Sequence, residues 1–153
     1  MTRTKKIGLG LLAAFIAVQF FRPARNESNA AQPADITNVV PMPVEVAASL
    51  KAACYDCHSN NTTYPWYAEI QPGGWYLARH VSKGKAELNF SEFGRYKKRR
   101  QANKLKAIAN QINDNEMPLA SYTWLHPTAR LTSFQRTGIT SWARSAADSL
   151  GRE

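Results

Sequence analysis

Two thiols and an imidazole fall within five consecutive residues, Cys54-Tyr55-Asp56-Cys57-His58, and the 153-residue chain has no other cysteine. Three chemistries use cysteines at that spacing: a redox-active dithiol, half of a zinc site, or a haem attachment site. Each demands something further. A thioredoxin-like dithiol follows a strand in a βαβ pattern, and nothing before Cys54 reads as such a strand. A structural zinc site needs a second pair of ligands, whereas the two remaining histidines, His80 and His126, stand far apart. Haem attachment needs two thiols to reach the vinyl groups on one porphyrin edge, with an imidazole directly after them for the iron. Cys54, Cys57 and His58 supply all three. The pattern points to one covalent haem c, with the dithiol as the remaining alternative.

With His58 on one side of the iron, a second ligand is sought on the other. Met42 lies between Pro41 and Pro43 and reads as a packing or exposed residue. Met117 follows His58 by 59 residues, in Asn115-Glu116-Met117-Pro118-Leu119. There the proline sets an extended turn beyond a helical segment. A methionine on such a loop can reach the iron, and Met–His ligation suits electron transfer. His58 and Met117 are therefore the expected metal ligands. His80 is the competitor, on a helix read over residues 75–83, and His126, before Pro127, is read as supporting a turn. Between the motif and that helix run Tyr64-Pro65-Trp66-Tyr67 and Pro72-Gly73-Gly74-Trp75-Tyr76. Tyr64, Trp66 and Trp75 are the expected haem neighbours, although rings at such spacing serve equally well as ordinary core. Pro65 or Pro72 is expected to offer a carbonyl to Nδ1 of His58.

Helices must position these groups. Val44, Ala47, Ala48 and Leu50 suggest a helix that starts at Pro43 and runs into Cys54. Residues 97–113 form another, with Leu105, Ile108 and Ile112 on one face. A last helix follows Thr132 as cap, with Phe134, Ile139, Trp142 and Ala146 facing inward. No run alternates like a strand, so the fold is expected to be all-α.

Residues 7–21 are apolar behind a basic start, the pattern of a signal or short membrane anchor. Residues 1–25 are assigned to it, 26–42 to a linker, and 43–150 to one domain. Fifteen apolar residues are short against the roughly twenty that span a bilayer. The formal charge is +9, but five of the basic residues flank the apolar run. From Ala30 onward fifteen Lys and Arg face ten Asp and Glu. The basic run from Lys97 to Arg100, continued by Lys104 and Lys106, can steer acidic redox partners or anionic lipid, or simply be a solvated helix face.

The segments CYDCHSNNTTYPWY, Pro72-Gly73-Gly74-Trp75, Asn89-Phe90-Ser91-Glu92-Phe93 and EMPLASYTWLHPTARL together resemble the bacterial haem-binding domain family, a relative of small monohaem c-type cytochromes. The resemblance covers most of residues 7–145. It implies a small cytochrome c-like helical domain wrapped around one covalent haem, on the periplasmic side of the cytoplasmic membrane. Thioethers would form on Cys54 and Cys57, with His58 proximal and Met117 distal. No catalytic acid or base stands out, so a single-electron carrier serving redox partner proteins is expected rather than an enzyme. The alternative is a haem-based ligand sensor or peroxidase-like enzyme with an open or displaceable distal site. No nucleic-acid partner is expected.

Overall fold

The computed structural model describes residues 2–152, which leaves Met1 and Glu153 outside the description. Eight α-helices follow in order: α1 Arg3–Val18, α2 Ile36–Val39, α3 Val44–Ala53, α4 Tyr55–His58, α5 Gly73–Glu87, α6 Lys98–Asn113, α7 Ala120–Leu125 and α8 Ser133–Leu150, with three short 3-10 turns between them. Among the described residues there is no β-strand, and the all-α expectation holds.

The core is the seam between α6 and α8, onto which α3 packs. Leu105, Ile108, Ala109 and Ile112 recur at helical spacing along α6, and Ile139, Trp142, Ala143 and Ala147 answer them from α8. Phe90 and Phe93, fully buried on the 3-10 turn Phe90–Arg95, extend this core together with Ile36. A capping box starts α8: the Thr132 hydroxyl accepts from the Gln135 N–H at 3.2 Å, and the Gln135 side chain accepts from the Thr132 N–H at 2.9 Å.

Two faces differ from their expected phase. α3 buries Val46, Ser49, Leu50 and Ala53 while Val44 is 80% exposed. Ser49 can lie inward because its hydroxyl donates to the Glu45 carbonyl at 2.7 Å, and a serine on the apolar face conceals the phase. Phe134 is 78% exposed. It stands five residues before Ile139, roughly 140° around the helix from the buried stripe.

The stretch read as a linker is fastened to the domain. The Asn26 side chain donates to the Ser59 carbonyl and to Thr62 Oγ1, each at 2.9 Å. The Tyr55 hydroxyl donates to Asp35 at 2.8 Å, and the Trp142 indole to the Pro41 carbonyl at 2.9 Å. Residues 26–42 thus run along the cysteine motif. α1 has 16 residues, none buried, and at 1.5 Å per residue is roughly 24 Å long. Among the described residues no helix is long and apolar enough to cross a membrane.

Candidate functional site

The backbone breaks at Cys54, where φ is −128°, between α3 and the single turn of α4. Both the Cys57 and His58 N–H groups donate to the Cys54 carbonyl, at 3.2 and 3.0 Å, so the motif is one helical turn. Neither cysteine is in a disulfide. Cys54 packs against the core beside Tyr55, whereas Cys57 lines a cleft of about 460 Å³. Burial pushes the Cys54 thiol up to about 12, helped by Cys57, and the Cys57 thiol up to about 11, helped by the Asp56 charge. A reactive dithiol needs the opposite, a depressed thiol pKa.

His58 is held from the far side by α5. Its Nδ1 lies 3.0 Å from the Leu88 carbonyl. A carbonyl can only accept, so Nδ1 carries the hydrogen and the lone pair is on Nε2, the form that can bind a metal. Burial lowers the His58 pKa, and the Leu88 and Gly84 carbonyls pull it partly back. The imidazole is thereby kept neutral near pH 7. Gly84 permits this arrangement: a Cβ there would stand 2.5 Å from the Cys57 carbonyl oxygen. Only a glycine lets α5 approach the motif so closely.

Asp56, the second residue between the cysteines, ties the motif to two distant segments. Its carboxylate accepts from the Thr63 N–H at 2.9 Å and from the Tyr122 hydroxyl at 2.5 Å. Burial and that carboxylate both hold the Tyr122 proton, raising its pKa above the ordinary tyrosine range. The bond brings α7 over the cleft. Tyr67, Tyr76, Leu77, His80, Tyr122 and Leu125 line it together with Cys57.

The other expected site residues are placed as follows. Met117 is half-buried and does not line the cleft, although Leu119, two residues on, does. Tyr64 lies in a separate hollow, its hydroxyl accepting from the Asn26 N–H at 2.6 Å beneath the Arg25 guanidinium. Trp66 is largely exposed, edge-on to Tyr67. Trp75 donates its indole hydrogen to the Phe21 carbonyl at 2.7 Å. None of these three rings lines the cleft; Tyr67, Tyr76 and Tyr122 do. The carbonyl facing His58 belongs to Leu88, not to Pro65 or Pro72. His126 stacks on Tyr122 with ring centroids 4.0 Å apart and bonds its carbonyl at 2.9 Å, a turn-supporting place.

Sequence reading missed Gly84, Leu88, Asp56 and Tyr122. A glycine inside a helical pattern signals close approach, so Gly84 had a cue. The Asp56–Tyr122 pair, 66 positions apart, had none.

An all-helical domain that sets a Cys-x-x-Cys-His turn beside a largely apolar cleft defines a class of haem-binding proteins. A model of the haem-binding domain family matches residues 13–145, and the chain belongs to that family. No curated protein and no solved structure matches the chain. The residues present fit a haem in kind: Cys57 opens on a cleft of a size usual for cofactors, and the Cys54 thiol and the His58 imidazole, its free lone pair on Nε2, stand in the same helical turn without lining that cleft.

Proposed function

We propose that this haem-binding protein holds one haem c covalently through Cys54 and Cys57, with His58 as the proximal ligand, and serves as a single-electron carrier. Bound haem supplies a one-electron iron couple. The observation that carries the reading is the 3.0 Å contact between His58 Nδ1 and the Leu88 carbonyl. Such a contact fixes the ring and its tautomer, and it makes Nε2 the better donor. Met117, on the loop that leads into Leu119, would supply the second iron ligand. The cleft rings Tyr67, Tyr76 and Tyr122 limit water. Tyr64, Trp66 and Trp75 act farther out, around the segment after α1. The protein works on the periplasmic side of the cytoplasmic membrane, with α1 as its signal or anchor and the basic face of α6 turned to acidic redox partners.

A pyridine haemochrome assay on the exported chain tests attachment. The thioether spectrum is expected, with sharply less holoprotein in Cys54→Ala or Cys57→Ala. Normal covalent haem in the double variant would overturn the proposal.

A second reading has one observation in its favour. His80 lines the cleft while Met117 does not, so the sixth position would go to His80 or to an external ligand, as in a sensor or peroxidase-like protein.

A further inference from the structure

Several of the apolar side chains that this fold leaves uncovered are held close together. Phe21, Ile70, Trp75, Tyr76, Leu125 and Trp66 each leave between 41% and 75% of their surface exposed, and a set of hydrogen bonds and ion pairs ties them into one region. The Trp75 indole holds the Phe21 carbonyl at 2.7 Å. Gln19 and Gln71 bond reciprocally, at 2.8 and 3.3 Å, which sets the end of α1 beside Ile70. The 3-10 turn Trp66–Glu69 presents Glu69 to both Arg22 and Arg25. Tyr76 and Leu125 stand at the cleft, where the Tyr76 hydroxyl meets Ser121 at 3.3 Å. The C-terminal end of α1 therefore merges into a tryptophan- and tyrosine-rich surface around the cleft.

We propose that this surface rests on an anionic lipid bilayer, so that the domain lies against the membrane with its cleft opening at headgroup level. Three features select lipid as the occupant. The surface is continuous with α1, whose Ile7, Leu9, Leu11, Leu12, Phe15 and Ile16 are all exposed. It is rich in Trp and Tyr, the residues whose apolar body and polar tip suit the membrane interface. Exposed Arg79 and Lys83 follow Trp75 at four-residue steps along α5, placing cations where anionic headgroups would meet them. Attachment of this kind needs no spanning helix. A short apolar helix and an aromatic surface bind side by side within the interface, which accommodates an α1 too short to cross. The inference rests on reading α1 as a membrane segment and adds which face of the domain joins it.

Flotation of the full chain with phosphatidylcholine vesicles, with and without phosphatidylglycerol, provides the test. Binding is expected to favour the anionic vesicles and to weaken with salt. Trp66→Ser with Ile70→Ser, both exposed and outside the core, should weaken it roughly tenfold or more, with far-ultraviolet dichroism and melting unchanged. Brominated lipid should quench tryptophan emission of the unaltered chain relative to unbrominated vesicles. Leu11→Glu with Phe15→Glu reports on α1 alone. If the α1 variant loses binding while Trp66→Ser with Ile70→Ser keeps it and bromine quenches nothing, the docking surface is refuted and the anchor survives. If the unaltered chain binds neither vesicle, the anchor reading fails and takes this inference with it. Self-association without lipid, dispersed by the same surface substitutions, would assign the face to a second copy and overturn the proposal.

Discussion

Gly84→Ala probes how tightly α5 must approach the cysteine motif. The added Cβ would stand 2.5 Å from the Cys57 carbonyl oxygen and 3.2 Å from Cys57 Cβ. A carbon–oxygen contact needs about 3.3 Å, so α4 and α5 have to part by roughly 0.8 Å. Overpacking of this size costs about 1–3 kcal/mol, and alanine returns about 1 kcal/mol of helix propensity. The net loss of stability is thus modest, about 0–2 kcal/mol. The local consequence is larger. The Leu88 N–H is bonded to the Gly84 carbonyl at 2.9 Å, and the Leu88 carbonyl holds His58 at 3.0 Å. A shift of roughly 0.8 Å carries that second contact to about 3.8 Å, outside hydrogen-bonding range. Losing the partner that orients a ligating histidine typically costs about tenfold or more in site affinity. Thermal unfolding and haem absorbance per chain measure the two effects separately. Gly138→Ala is the control, because its Cβ would meet only Val46 Cγ2 at 3.9 Å within α8; it should stabilise by about 0.5–1 kcal/mol. If Gly84→Ala gains stability like Gly138→Ala and keeps its haem, the close approach does not position His58 and the reasoning is wrong.

The remaining predictions concern the distal side and the fold. Met117→Ala should lower the reduction potential and let carbon monoxide bind, because a thioether favours ferrous iron, while His80→Ala changes little; the reverse pattern in optical spectra moves the ligand to His80. Tyr122→Phe removes the 2.5 Å bond to Asp56 and should cost about 1.5–3 kcal/mol. Faster hydrogen exchange confined to residues 120–125 would mark the loosening of α7, and unchanged exchange would refute its role as a latch. Thr132→Ala breaks the capping box and should lower stability by about 1 kcal/mol, read by denaturant midpoint at constant slope, with no change in the haem spectrum.

How much of this was legible in the sequence depends on the range of the interaction. The Cys54-Tyr55-Asp56-Cys57-His58 motif, the helical stripe of Leu105, Ile108 and Ile112, and the Thr132 cap are local patterns, because helix period and capping act within four residues. By themselves they point to an all-helical haem-binding domain. The partners of the motif were decided only in three dimensions. Leu88 faces His58 because α5 can approach at Gly84, and Tyr122 reaches Asp56 because α7 folds back across the cleft. The same closure places Tyr67 and Tyr76 at the cleft and leaves Trp66 on the surface. Composition cannot distinguish one ring from its neighbour. Residues 26–42 look like a linker by their prolines and polar side chains, yet Asn26, Asp35 and Pro41 each find a partner on the domain. A polar residue's sequence does not say whether water or another segment will satisfy it; that is set by which backbone and side-chain groups the packed helices leave exposed along its path.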